Sequence, residues 1–593
     1  MDQQQYPAGS PEPRLEPMGE TWAAGVGPVK VGSRSSRFRW AIAFGVVLCV
    51  ALVTAAGAFV LSGAGGAAKS LTAGSAPKAT IMFADLRTDL PGDQHQKLAD
   101  FMSHFPGFKD RAQFDNAFDD ILNRVTSSIS PDLNYTSAFK SWTTGELSIA
   151  VTSMGGIDMS NTMMPSALPT GVVGMPSIKT TPESAVVIVS LKDRVAGEVW
   201  VTAEVAKTGL TFTAQDYAGT KLYVAQKAAS DRLTAAYAFT DRVLLLGTVD
   251  AVKAGLDAPA KGSLADNANY QAATSSLSGD TIASFYADPQ AMVKQETGSM
   301  PGVAGMTSSW MMGAGSMPAW VAGSVRADSD HMTVEIKMPK TAGMPSPGNK
   351  ESVLASELPG STVGVLEVHS VGKLVTDGLK TLSGSATGAS AKDTINQVQD
   401  ALTKIGGIDW IGDADLVLTR TGSTYGGGLV VKTPNAAGAT GKKVMITNLI
   451  ALAGGIMGIT SADETYKGTT ITMVSVKNGS SGSTVQIGLA TKGDLLVAGY
   501  GDAFVKALLD TTSNDSLATQ SDYKTVMAAA GTSNATYGYF NVSAVADQIG
   551  QSFTGNAAKY NLDYKPYVDH IGGVAFASID GNTVTLRLVF TAK

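Results

Sequence analysis

The segment DRVLLLGTVDAVKAGLD, residues 241–257, returns as GDLLVAGYGDAFVKALLD at residues 493–510. Each copy reads as a buried aliphatic strand, a short turn and an amphipathic helix. The likeness spreads outward from this pair in both directions. Downstream, SLADNANY (263–270) matches SLATQSDY (516–523). Upstream, YAGTKLYV (217–224) matches YKGTTITM (466–473), and WTTGELSIAV (142–151) matches WIGDADLVLT (410–419). Near the ends, WVAGSVRADSDHMTVEIKM (320–338) matches VAFASIDGNTVTLRLVF (574–590). The order is kept throughout at a shift of about 250 residues, the mark of an internal duplication. The chain therefore reads as two homologous halves, 76–340 and 351–593. The Pro/Gly/Ser-rich stretch TAGMPSPGNK (341–350) joins them.

Within the halves, two hydrophobic periods alternate. Phe114, Phe118, Ile121, Leu122 and Val125 recur at helical spacing, as do Ile395, Val398, Leu402 and Ile405. Asp580-Gly581 and Asn478-Gly479 lie between alternating runs and signal tight hairpins. Neighbouring hairpin-linked strands with helices between groups predict an α+β fold with antiparallel sheets.

Ahead of the halves stands WAIAFGVVLCVALVTAAGAFVL, Trp40 to Leu61, uncharged and preceded by Arg34, Arg37 and Arg39. A bilayer core of about 30 Å needs roughly 20 apolar residues in a helix, so this run predicts a transmembrane helix. Basic residues stay on the cytoplasmic side. Residues 1–39 are thus expected to form a cytoplasmic tail, disordered because it is rich in proline and poor in apolar side chains. Residues 62–75 read as a Gly/Ala/Ser linker, with everything beyond them outside the cell. A cleaved secretory signal is the competing reading, but its apolar core is usually only about 7–15 residues long. A lipidated Cys49 is excluded by Leu48 before it and by the apolar run that continues past it. A second apolar stretch, Val444 to Ile459, aligns with residues 194–210, which carry Glu198, Glu204 and Lys207. It predicts a buried helix rather than a second span.

Composition narrows the function. The single cysteine, Cys49, lies in the membrane run, so the outer region has no disulfide, thiol nucleophile or cysteine metal site. A net charge of −6, spread evenly, argues against nucleic acid as a partner. The five histidines, His95, His104, His331, His369 and His570, form no metal-binding spacing. Gly441-Lys442-Lys443 lacks the rest of a phosphate-binding loop. Ser137-x-x-Lys140 and Lys207-Thr208-Gly209 mimic two marks of penicillin-interacting serine enzymes, but the S-D-N element between them is missing. No catalytic residue, cofactor or metal ligand is expected, and the protein reads as a non-enzyme.

One motif belongs to the N-terminal half alone: DLPGDQHQKLADFMSHFPGFKD, residues 89–110. Pro91-Gly92 turns the chain, Asp93 and Gln96 form the pattern of a capping box, and Pro106-Gly107 ends the helix. With the apolar N-terminal run, LPGDQ and FPGF resemble an uncharacterised bacterial family of membrane-anchored, extracytoplasmic proteins known as a domain of unknown function. The resemblance implies a cell-envelope setting and no particular activity.

The remaining asymmetry is methionine. Met154, Met159, Met163, Met164 and Met175 fall in an insertion near 153–182. Met292, Met300, Met306, Met311, Met312 and Met317 fall near 291–318. Flexible thioethers suit adaptable apolar contacts and can also ligate Cu(I); loop methionines covering the core are the plain reading, and Met154, Met159, Met163, Met164, Met311, Met312 and Met317 are the candidate interaction surface. The expectation is a single-pass, membrane-anchored envelope protein with a non-catalytic binding or scaffold role. Its partners would be the membrane, through Trp40 to Leu61, and a protein or envelope ligand. A hydrolase with an unrecognised site and a carrier of an apolar ligand are the alternatives.

Overall fold

A computed structural model describes residues 70–129, 133–153, 184–226, 235–296 and 317–593, the last range without 342–343, 345, 386–388, 405, 458, 478–483, 547–557 and 559. The expected tail and transmembrane helix lie outside these residues. Among the described residues no helix is long and apolar enough to cross a membrane.

Among the described residues, ten strands come from the N-terminal half: β1 (Met82–Arg87), β2 (Thr143–Val151), β3 (Ala185–Leu191), β4 (Phe212–Tyr217), β5 (Thr220–Ala225), β6 (Ala235–Phe239), β7 (Val243–Thr248), β8 (Ala283–Ala287), β9 (Val321–Ala327) and β10 (His331–Pro339). The C-terminal half supplies β11 (Lys350–Glu351), β12 (Thr362–Val368), β13 (Ala414–Thr421), β14 (Thr424–Lys432), β15 (Ile459–Tyr466) and β16 (Thr469–Lys477). It continues with β17 (Thr484–Lys492), β18 (Leu495–Tyr500), β19 (Ser533–Asn534), β20 (Thr536–Phe540), β21 (Ile571–Ile579) and β22 (Thr583–Ala592). The short β11 and β19 pair with each other.

The other 20 strands form one antiparallel sheet. From one edge to the centre the order is β4-β5-β6-β7-β3-β2-β1-β8-β9-β10. From the other edge it is β15-β16-β17-β18-β14-β13-β12-β20-β21-β22. The two series have the same chain order, and β10 pairs with β22 where they meet. The fold is α+β with antiparallel pairing.

Several side-chain contacts recur in both series. The Tyr217 hydroxyl donates to Asp257 at 2.9 Å, with Lys253 over the tyrosine ring. The Tyr466 hydroxyl donates to Asp510 at 2.7 Å, with Lys506 over its ring. Tyr270 packs edge-on against Tyr286, as Tyr523 does at a tilt against Tyr537.

One face of the sheet is filled in both halves. In the N-terminal half Phe83, Ile188, Leu222 and Leu245 pack under Val252, Leu264 and Tyr270. In the C-terminal half Val365, Val417, Val430 and Val497 pack under Phe504, Leu508 and Val526. Gly428 permits this approach, because a Cβ there would lie 2.5 Å from the Phe504 ring. The other face differs. In the N-terminal half Trp142, Ile149, Val187 and Tyr237 form a second core with Val201, on the helix Arg194–Thr208.

Three sequence expectations need correction. Residues 70–75 are not linker: Thr72 and Ala73 are buried in a short 3-10 turn, held by the carboxylate of Glu146. Asp93 precedes the helix Gln94–Met102 but makes no side-chain cap bond. Its backbone is not extended as a capping residue requires, and its carboxylate pairs with Lys97 at 3.0 Å. The helix predicted from Val444 to Ile459 forms as Ala436–Met457 but is not buried. It packs along one side against β15, β17 and β18, leaving Val444, Leu449 and Leu452 exposed.

The other helices follow their periodicity. Phe114–Ile129 covers the first predicted apolar pattern and Ala389–Lys404 covers Ile395, Val398 and Leu402 of the second, Ile405 lying outside the described residues. The Asp580-Gly581 signal falls in the β21–β22 hairpin. Asn478-Gly479 lies outside the described residues, between the paired β16 and β17.

Candidate functional site

Of the methionines proposed as a surface, Met154, Met159, Met163, Met164, Met311 and Met312 lie outside the described residues. Met317 is half-buried, and its backbone carbonyl accepts a 2.9 Å hydrogen bond from Gln290. The mimic of a serine-enzyme motif separates into ordinary contacts. Ser137 bonds to Asn134, Lys140 pairs with Asp119 at 2.5 Å, and Lys207 pairs with Glu204 at 2.6 Å.

The chemically distinctive groups sit where strand alternation sends carboxylates inward. On β1 the core-facing positions run Phe83 then Asp85, and on β12 they run Val365 then Glu367. In the N-terminal half, Glu146 accepts from the Ser70 hydroxyl at 2.6 Å, the Thr72 hydroxyl at 2.9 Å and the Thr72 N–H at 3.1 Å. Asp85 accepts from Ser148 at 2.7 Å. Burial, reinforced by the charge of Glu146, pushes the Asp85 carboxyl up to about 7. This group ties the entering chain to the sheet, and its polar atoms are well matched.

The C-terminal half is different. Glu367, His369, Asp413 and Asp415 are all buried together. Ser352 donates a short hydrogen bond to Glu367 Oε2. Lys350 Nζ and the Ser370 N–H both reach Asp413 Oδ1, at 2.5 and 2.9 Å. Burial works against ionisation of Asp413, but the contacts from His369, Lys350 and Ser370 outweigh it and hold this carboxyl well below the usual range. Burial pushes Glu367 up, and it pushes Asp415 up strongly with help from the Glu367 charge. His369 Nδ1 lies 3.1 Å from Glu367 Oε1 and 3.4 Å from Asp413 Oδ2. Among the described residues, Glu367 Oε1 and both ring nitrogens have no hydrogen-bond partner.

A second feature lies on the opposite face of the same strands. Leu366 on β12 stands opposite Leu416 on β13, which stands opposite Leu429 on β14. These three are 43%, 60% and 43% exposed. The matching row of the N-terminal half is Ala84, Ile149 and Val187. There Ile149 and Val187 are 5% and 3% exposed, covered by the aromatic core around Trp142. Trp410, the sequence counterpart of Trp142, is instead half-buried, with Lys442 above its ring.

A polar cleft of about 290 Å³ opens at the other end of β12, between Thr362, Arg420, Gln520 and Asn541. Several of its polar groups are already engaged: Arg420 donates to Gly422 and Asn541 to Asp522.

Neither principal feature was apparent in the chain. The acidic cluster draws on positions dispersed from 350 to 415, and an inward carboxylate on an alternating strand looks like an outward one. The leucine row has the pattern of a core. Only comparison with the aromatic-rich N-terminal half could have hinted that its cover is missing.

A family model described as "Protein of unknown function (DUF3352)" matches residues 42–589, and the chain belongs to that family. No curated protein and no solved structure matches it.

Proposed function

We propose that this chain is a membrane-anchored extracytoplasmic protein with a non-catalytic binding role, and that its two halves descend from one duplicated unit. The anchor would be Trp40 to Leu61, with the N-terminus cytoplasmic. The observation that carries the binding role is the exposed row Leu366–Leu416–Leu429, whose counterpart in the N-terminal half is covered. A contiguous apolar patch on a protein marks an interaction site. The helix Ala436–Met457 adds exposed Val444, Leu449 and Leu452 in the same half. An apolar partner, lipid or protein, would take the place that Trp142 and Trp200 fill in the N-terminal half. A non-catalytic reading is supported by the burial of the acidic cluster, whose carboxylates are shielded from solvent.

The test is a photo-crosslinking amino acid placed at position 416 of the full chain, in cells. It should yield a lipid or protein adduct absent when the same group replaces the exposed Asp216 on β4. Equal labelling at both positions would refute the assignment. Protease accessibility of the C-terminal region in intact spheroplasts tests the topology.

A further inference from the structure

We infer that Glu367, His369 and Asp413 form a divalent metal site in the core of the C-terminal half. One oxygen or nitrogen from each residue lies within 4.8 Å of the others. Bonds of about 2.0–2.2 Å to a transition-metal ion place neighbouring ligand atoms roughly 3–3.5 Å apart. The observed separations from Nδ1, 3.1 Å to Glu367 and 3.4 Å to Asp413, fall in that range.

The imidazole gives the independent evidence. His369 is fully buried, yet Nδ1 meets the hydrogen-bond angle toward neither carboxylate. It lies close to both oxygens without bonding to either. A buried ring nitrogen left without a partner is costly, and a metal ion removes that cost for Nδ1. The carboxylates are also oriented from behind. Ser352 holds the outer oxygen of Glu367, while Lys350 and the Ser370 N–H hold the outer oxygen of Asp413. Each inner oxygen is left facing the histidine. Such outer contacts are what fix ligands at a metal site.

The N-terminal half shows what the position requires. Two residues beyond Asp85 on β1 lies Arg87, a permanent cation, as His369 lies two beyond Glu367. Imidazole supplies positive charge only by taking a proton or a metal. Mixed imidazole and carboxylate ligands favour zinc, manganese or iron(II) over magnesium or calcium. The side chain of Lys350 reaches solvent and covers Asp413, so its displacement gives an ion a way in.

The test uses the full chain, purified in detergent without a histidine tag, stripped with a chelator and titrated with Zn²⁺, Mn²⁺ or Co²⁺. One ion per chain should bind, with a higher melting temperature and a visible Co²⁺ spectrum. Glu367→Gln and His369→Ala should each weaken binding at least 100-fold. If a variant fails to fold, the Co²⁺ spectrum and stoichiometry of the unmutated chain still decide. No stoichiometric binding of any of the three ions would overturn the site. Undiminished binding in folded variants would overturn it equally.

Discussion

Arg587 on β22 stands directly opposite Glu335 on β10, with its guanidinium 2.8 Å from the carboxylate. The repeat that aligns Met338 with Phe590 gives these two residues the same place in their halves. In the β10–β22 pair the two residues face each other. Identical charges would repel there, whereas the chain has one of each sign. Glu335 is buried and also lies 3.1 Å from Lys337. Burial works against its ionisation, yet Arg587 and Lys337 prevail and keep it below the usual carboxylate range.

Arg587→Leu should therefore destabilise the junction by about 3 kcal/mol, because it leaves a buried carboxylate with one weaker partner. Glu335→Leu combined with Arg587→Leu should recover most of that loss. Urea denaturation of the unmutated chain and the two variants measures this. A double variant no more stable than the Arg587→Leu single would show that the charges are not coupled.

Asp85 predicts a pH dependence of opposite sign to that of a salt-bridged aspartate. Its carboxyl titrates at about 7 in the folded chain, against 3.8 ordinarily. Between those values the folded state holds a proton that the unfolded state has released, so stability falls as pH rises from about 4 to 7. A shift of this size corresponds to a few kcal/mol at most, at about 1.4 kcal/mol per pH unit. Asp85→Asn should flatten that decline, gaining most over the unmutated protein at pH 8 and least at pH 4. Denaturation at both pH values checks it, and an unchanged difference would count against the assignment.

On one face of the sheet the two halves should respond differently to substitution. Ile149→Ala, in the covered row, should cost about 2–4 kcal/mol. Leu416→Ser, in the open row, should change stability by less than about 1 kcal/mol. A large loss at position 416 would mean that its side chain is buried in solution.

Gln94 carries the structural role of LPGDQ. Its buried amide accepts from the Ala327 N–H at 2.8 Å and donates to the Ala327 carbonyl at 3.3 Å, fastening the helix Gln94–Met102 to the end of β9. Gln94→Ala should cost about 1–3 kcal/mol by stranding both backbone groups. Faster amide exchange at Ala327 would report the loss directly.

Local pattern conveyed much of this fold. Alternation and turn residues marked the β21–β22 hairpin, and 3.6-residue spacing marked the helix beginning at Phe114, because those signals are written in adjacent positions. What failed depended on distant partners. Residues 70–75 look like a flexible linker until Glu146 supplies the acceptors that fold them. Asp93 has a capping pattern, but Lys97 competes for it. Glu367, His369 and Asp413 come together through strand pairing and a tight return of chain, neither of which is visible in their spacing.

The β10–β22 pair also bears on how the chain can be divided. Each half ends its inner side with a long strand whose backbone groups are satisfied by the other half. Cut between residues 341 and 350, either piece would carry a bare hydrogen-bonding margin of nine residues or more. Such a margin recruits whatever strand is nearest. The separated pieces should therefore find one another, or pair with copies of themselves, making the natural junction a ready seam for a split reporter.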